Sequence, residues 1–351
     1  MELDNKDLPW IEKYRPSKID DISHQLDTVS ILNGIVETGQ LPHMIFYGPP
    51  GIGKTTAAIA LARQLFGKLY DDRVLELNAS DERGIKVVRE KIKKFAQYTL
   101  TTDDSVDMTK NAYKMIILDE ADTMTDDTQF ALRRIIEQYS KTTRFCLICN
   151  YITRIIDPIT SRCTKLDFKP ISLDALQRVI TKIFKNENIG IDNIPELSEK
   201  IYKLTHGDLR NSITILQHAY YIDKKNMCVK DGVATHVIIK SATIDSISYK
   251  TPINLIQKLL SIITDNCDYA MLQRVTDEVI SFGYSVVQVL RDLSDYLLTT
   301  DDKFSESQKC DIFIKIAEAD YMLTRGSDEF IQLLYVLAFI KELKIKGVTD
   351  K

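Results

Sequence analysis

Short apolar runs alternate with helical periodicity through the first half of this chain. Apolar runs at 44–47, 74–77, 115–118, 145–149 and 164–168 have strand length. Helix-spaced stretches fall between them at 56–65, 84–97 and 126–139. This alternation predicts an α/β fold built on a parallel sheet covered by helices. Beyond Pro170 the strand signals fade. Residues 172–187 and 195–219 predict amphipathic helices, the first with Leu173, Leu176, Val179, Ile180 and Ile183 at helical spacing. Residues 220–250 are mixed and are read as containing a linker. From Pro252 onward the pattern is all-helical, at 252–265, 269–281, 284–299, 307–324 and 328–345. The polar stretch 101–112 predicts a mobile loop. There is no internal repeat and no long low-complexity tract.

Bulk properties narrow the class without naming a function. The 351 residues are enough for two or three domains. Hydrophobic content of 44% and charged content of 27% are those of a soluble globular protein. A net charge of −4 excludes a protein that coats nucleic acid over its whole surface, so any such contact must be local. The six cysteines show no disulfide framework and point to a reducing compartment. The N-terminus, Met1-Glu2-Leu3-Asp4-Asn5, is acidic without an apolar signal region, and no apolar run approaches membrane-span length. An intracellular protein with no membrane partner is expected.

Residues 48–55 read Gly-Pro-Pro-Gly-Ile-Gly-Lys-Thr, between an apolar strand and a helix. That context makes them a phosphate-binding loop and predicts a nucleoside triphosphate ligand. Gly48, Gly51 and Gly53 let the backbone take positive φ and approach phosphate closely. The loop N–H groups form an anion nest, and the helix dipole adds partial positive charge. Lys54 suits β- and γ-phosphate oxygens, and the Thr55 hydroxyl suits magnesium. The alternative is a glycine turn before a helix with a solvated lysine. It loses ground once the acidic strand is considered.

That strand is Met-Ile-Ile-Leu-Asp-Glu-Ala-Asp at 115–122. It places carboxylates at the carboxyl edge of a parallel sheet, where ligands sit. Asp119 is read as orienting magnesium, and Glu120 as polarising the attacking water. An acidic cluster can instead complement the next helix dipole, but Asp126 and Asp127 after Thr125 fit that role better. The letters Asp-Glu-Ala-Asp also occur in a helicase family and do not discriminate alone. Asn150 ends the neighbouring strand, where an amide can reach a γ-phosphate or lytic water, although strand-ending polar residues are commonly turn formers. Cys146 and Cys149 have metal-like spacing, but in a strand they face opposite ways and no second pair follows. They read as core thiols.

A basic helix is expected at 84–97. Ile85, Val88, Ile92 and Phe95 form its buried stripe, with Arg83, Lys86, Arg89 and Lys93 on the exposed arc and Ser80 or Asp81 as cap. By itself such a face is more often merely solvated. Arg133 and Arg134 are equally open between subunit contact and a plain charged face.

Taken together, these residues resemble the small subunits of replication factor C, the sliding-clamp loader, within the AAA+ ATPases. The resemblance is carried by Pro9-Trp10-Ile11-Glu12-Lys13-Tyr14-Arg15-Pro16, the loop 48–55, Leu77-Asn78-Ala79-Ser80-Asp81-Glu82-Arg83-Gly84, residues 115–122, Asn150, Ser161-Arg162-Cys163 and Gly207-Asp208-Leu209-Arg210. It is dense from about residue 8 to 217. In the last third only the helical pattern carries it.

The resemblance implies a P-loop ATPase module over 1–165, a helical lid over 166–232 and an all-α collar over 233–351 that assembles a ring. It implies ATP and Mg2+, held by Gly48, Pro49, Pro50, Gly51, Ile52, Gly53, Lys54, Thr55 and Thr56, with Thr55 and Asp119 on the metal. Ile11 and Arg15 are assigned to the adenine side and Asn150 to the γ-phosphate. Arg210 is assigned to phosphate from the lid, and Arg162 is the finger given to a neighbouring subunit, where a guanidinium fork suits phosphoryl oxygens. Arg83, Lys86, Arg89 and Arg154 are carried over as DNA phosphate contacts that read no sequence. Tyr98 and Leu100 are assigned toward the clamp. The implied partners are a large subunit and related small subunits in a pentamer, a sliding clamp and primer–template DNA, in the nucleus if the source is eukaryotic. With no catalytic position missing, an active ATPase is expected, and the lack of an extra N-terminal domain argues against a large subunit. The competing readings are another AAA+ DNA motor or initiator, and a subunit that binds ATP structurally with little turnover.

Overall fold

Strands of four to seven residues cannot satisfy their own backbone groups, so the apolar runs must pair with one another. In the computed structural model they form one parallel sheet: β1 (Met44–Tyr47), β2 (Val74–Asn78), β3 (Lys114–Asp119), β4 (Thr143–Cys149) and β5 (Thr164–Asp167). The strand order is β2-β3-β4-β1-β5. Met44 is opposite Cys146 on one side and Thr164 on the other, while Leu77 is opposite Leu118. The described residues are 8–22, 25–80, 85–97, 113–190, 193–228, 238–239, 243–244, 247, 251, 253–264, 268–299 and 304–349. The stretch 101–112 lies outside them, as do Asp81, Arg83, Tyr98 and Leu100.

Alternation along each strand gives the sheet two apolar faces. Met44, Phe46, Met115, Ile117, Cys146 and Ile148 pack with α2 (Leu26–Thr38) and α3 (Lys54–Phe66). Ile45, Ile116, Leu118, Phe145, Leu147 and Cys149 face the other way, toward α5 (Ile85–Gln97) and α6 (Asp126–Tyr139). Cys146 and Cys149 thus lie in opposite cores. Burial pushes the Cys149 thiol up to about 12 and the Cys146 thiol higher still, so neither is a thiolate at neutral pH. Among the described residues no group of three or more His, Cys, Asp or Glu is placed to hold a metal.

Helix α2 does not appear among the elements predicted from the pattern. Its β-branched residues and central Gly34 weaken the helical signal, yet Leu32 and Ile35 are buried at helical spacing and supply the packing that decides the matter. The short helices α1 (Trp10–Lys13), α4 (Tyr70–Arg73) and α7 (Asp157–Thr160) complete the sheet module.

Past β5 the chain enters α8 (Leu173–Glu187), capped by Ser172, whose Oγ accepts from Ala175 N. The single helix expected over 195–219 is instead two, α9 (Ile194–Thr205) and α10 (Leu209–Cys228). His206 and Gly207 both take left-handed φ, at 50° and 86°, which ends α9. Gly207 O accepts from Ile171 N at 3.1 Å, and a Cβ at Gly207 would lie 2.8 Å from the Pro170 ring. Asp208 then caps α10, its Oδ1 accepting from Asn211 N at 3.0 Å.

The chain divides into two compact units, 1–244 and 245–351. The second is helical in its described residues: α11 (Ile253–Thr264), α12 (Tyr269–Ser281), α13 (Val286–Thr299), α14 (Glu306–Thr324) and α15 (Glu329–Thr349). Leu259, Leu272, Val279, Leu293, Ile312, Leu337 and Ile340 lie in its core. Ser305 and Gln308 form a capping box at the start of α14. No helix of the described residues is long and apolar enough to cross a membrane.

Candidate functional site

The loop after β1, the acids after β3 and the amide after β4 all leave the sheet at its carboxyl edge, beside the point where the strand order reverses. Gly48, Gly51 and Gly53 take φ of 141°, 74° and 92°. This turns the loop tightly into α3, whose first residue is Lys54.

Lys54 is only 6% exposed, and its ammonium is fully engaged. Nζ donates to Gly48 O and Pro49 O, both at 2.7 Å, and to Asn150 Oδ1 at 3.0 Å. Burial pushes the ammonium below its usual range, and the nearby Asp119 carboxylate works against that shift. Thr55 Oγ1 donates to Asp119 Oδ2 at 2.7 Å, and Glu120 N donates to Asp119 Oδ1 at 2.9 Å. Glu120 itself is held in left-handed backbone at φ 53°, with its carbonyl accepting from Thr123 N and Oγ1. A non-glycine residue in that region is uncommon and recurs at functional sites. Here Glu120 is exposed and lines the cleft.

Asp122 holds the amide strand end in place. Its Oδ2 accepts from the N–H groups of Asn150 and Tyr151 at 3.2 and 3.3 Å. Gln129, 1% exposed on α6, accepts from Ile156 N at 2.9 Å and donates to Arg154 O at 2.9 Å, tying α6 to the segment before α7. Neither role was read from the sequence. A polar residue on the buried stripe of α6 is the signal that was available for Gln129.

A cleft of about 530 Å³ opens over this edge. Ile11, Arg15 and Pro16 form one wall; Pro50, Gly51, Gly53, Lys54, Thr55 and Thr56 form its floor; Asp119, Glu120 and Asn150 line one end. The helices after β5 contribute Arg210, which the sequence marked as a site residue, and also Arg178, Val179, Lys182 and Ile183, which it did not. Val179 and Ile183 belong to the apolar stripe of α8, and Arg178 and Lys182, one position before each, border it where it meets the cleft. Gly48, Pro49 and Ile52 contribute no side chain to the cleft, and the Ile52 side chain is 1% exposed in the core below.

The loop and the start of α10 are in direct contact. Arg210 N donates to Gly51 O at 3.2 Å. A Cβ at Gly51 would fall 1.9 Å from Asp208 Oδ1, the cap of α10. Gly51→Ala is therefore expected to lower the thermal midpoint by several degrees, from about 1–3 kcal/mol of backbone strain plus a displaced cap. It is also expected to weaken ATP binding by about tenfold. Melting and ATP titration check this, and parental values for both would refute the loop–lid contact as a constraint.

Arg162 stands apart from the cleft of its own chain. Its side chain is 41% exposed; Nη2 pairs with Glu137 at 2.9 Å and Nη1 donates to Pro158 O at 2.7 Å. Glu137 also pairs with Arg133 at 3.1 Å. Arg154 is exposed, with its guanidinium 5.0 Å from the Tyr151 ring. Lys86 and Arg89 lie on α5, with side chains outside the described residues.

Oxygen donors at the Thr55–Asp119 pair suit a hard divalent cation, and the engaged ammonium beside loop amides suits polyphosphate. Comparison with known proteins agrees with this chemistry. Residues 44–171 match the family model described as ATPase family associated with various cellular activities (AAA), and residues 251–338 match that of the replication factor C C-terminal domain. The chain is 42% identical over 330 residues to replication factor C subunit 4 of Arabidopsis thaliana, covering 93% of each protein. It is 41% identical over 340 residues to replication factor C subunit 4 of Homo sapiens, covering 96% of this chain and 89% of that one. With the replication factor C small subunit of Aeropyrum pernix the identity is 38% over 343 residues, covering 97% and 98%. Among solved structures, a point mutant of RuvB from Thermotoga maritima superposes with a TM-score of 0.52 at 16% identity, covering 71% of this chain and 79% of that one. Likeness at that identity is a likeness of fold.

Proposed function

This chain belongs to the replication factor C small subunits, and from that premise we propose that it is an ATP-hydrolysing subunit of a clamp loader. In this reading it joins a large subunit and related small subunits in a ring that opens a sliding clamp and places it on primer–template DNA during replication, in the nucleus if the source is eukaryotic. The observation that carries the reading is the Lys54–Asn150 and Thr55–Asp119 pairing at the mouth of the loop, which brings an ammonium, an amide, a hydroxyl and a carboxylate to one sheet edge.

ATP binding exchanges the Lys54 hydrogen bonds to loop carbonyls for bonds to β- and γ-phosphate oxygens. Ile11 and Arg15 hold the adenosine side, with Thr56 beside Arg15. Arg210 brings the lid onto phosphate. Thr55 and Asp119 would hold Mg2+, which would neutralise phosphate charge when bound. Glu120 orients water for in-line attack on the γ-phosphorus and accepts its proton as the bond to the β-phosphate oxygen breaks. Asn150 fixes the γ-phosphate side, and Arg162 serves the site of the adjoining subunit. Arg83, Lys86, Arg89 and Arg154 track DNA phosphates without reading sequence, so DNA binding is expected to weaken with salt.

The intact acidic pair supports turnover over purely structural ATP binding. Glu120→Gln in the assembled complex is expected to keep ATP bound while hydrolysis by this subunit falls roughly 10²–10⁴-fold. Parental turnover in that variant would refute Glu120 as the base and favour a structural role for the nucleotide.

A further inference from the structure

Helix α1 is fastened to the lid more firmly than to the sheet. Lys13 Nζ and Tyr14 OH both donate to one oxygen of Glu187, the last residue of α8, at 2.5 and 2.6 Å. At the other end Trp10 N donates to Gln217 Oε1 of α10 at 3.1 Å, and the buried indole lies 5.2 Å from the Tyr220 ring. The link onward to the sheet module is slighter. Arg15 Nε reaches Thr56 Oγ1 at 3.3 Å between exposed groups, before Ile19 enters the core.

Two facing walls of the cleft depend on this arrangement. Ile11, Tyr14, Arg15 and Pro16 come from α1 and the turn after it, while Val179 and Ile183 come from α8. Glu187 lines neither wall, yet it joins the elements that carry them. Burial pushes its carboxyl up, but the hydrogen bonds from Lys13 and Tyr14 outweigh burial and hold it below the usual carboxylate range. Burial and the carboxylate together push the Tyr14 phenol well above its usual range. The pair therefore stays a phenol donor and an anionic acceptor at neutral pH.

We propose that Glu187 is a positioning residue for the nucleotide: it latches α1 to the lid, so that the adenosine-side wall and the lid close on ATP as one body. This rests on the reading that the cleft takes ATP. Neither Glu187 nor Lys13 lines the cleft, so their effect is on how well the two walls are registered before ATP arrives, and losing them lowers affinity rather than the rate of the chemical step.

The test uses the full chain and Mg-ATP, measured by titration calorimetry, with hydrolysis followed in the assembled complex. Glu187→Gln and Lys13→Met are each expected to weaken ATP binding roughly fivefold or more. The double variant is expected to stay within about twofold of Glu187→Gln, since both changes open the same latch. In the complex KM for ATP rises while kcat holds. Tyr14→Phe removes one hydroxyl, keeps the test open if Glu187→Gln does not fold, and is expected to move KM in the same direction. Parental affinity in these variants, or losses that multiply in the double variant, would overturn the latch. If the parent chain binds ATP and Lys54→Ala does not, such a result condemns the latch alone. If neither binds, the ATP reading fails and the latch falls with it.

Discussion

Lys54→Ala is expected to abolish ATP binding by this chain. The ammonium is nearly buried and already makes three hydrogen bonds, so little side-chain freedom remains to be lost when phosphate replaces the carbonyls. Two charge-assisted bonds at about 1.5–3 kcal/mol each amount to roughly 3–6 kcal/mol, or about 10²–10⁴ in affinity. The alanine variant also leaves Asn150 Oδ1 without its donor, which loosens that end of the cleft. Equilibrium titration with Mg-ATP reads the loss directly. A variant that binds ATP as tightly as the parent would mean that the loop serves some other anion or none.

Arg162→Ala is expected to leave this subunit's own ATP affinity unchanged and to slow hydrolysis in the assembled complex. Arg162 does not line the cleft of its own chain. What the substitution removes locally is an exposed ion pair with Glu137 and a bond to Pro158 O, interactions of small consequence for folding. Arginine fingers supplied in trans are worth on the order of 10³–10⁵ in rate. The expected deficit therefore appears at the neighbouring site and only after assembly. A loss of this chain's own ATP affinity, or an undiminished rate in the complex, would contradict a trans role.

Much of the sheet edge was legible in the sequence because each candidate residue there sits where a short apolar run stops. Strands of four to seven residues between glycine, acid and amide have few alternatives: β1 and β4 end at Tyr47 and Cys149, next to the glycine loop and Asn150, and β3 ends on Asp119 itself. Cys146 and Cys149 were separable by strand alternation alone. The lid was less legible. Its helices were expected, but as two where the structure has three, because left-handed backbone at His206 and Gly207 ends α9 inside a stretch read as one helix. Arg178 and Lys182 look like solvated positions until the fold brings α8 over the loop. Helix α2, carrying Gly34 and β-branched residues, is selected by burial of Leu32 and Ile35 rather than by local preference. Contacts such as Lys13–Glu187 span 174 positions and leave no local trace in the chain.

Fold likeness to RuvB leaves open which motor such a module drives, and that question has a direct answer in solution. The decisive measurement is steady-state ATP turnover by the complex reconstituted with replication factor C partner subunits, with and without primer–template DNA and a sliding clamp. The expected result is turnover that rises with DNA, rises further when the clamp is also present, and leaves closed clamp on the DNA. Turnover indifferent to the clamp, accompanied by processive strand separation or branch migration, would contradict clamp loading.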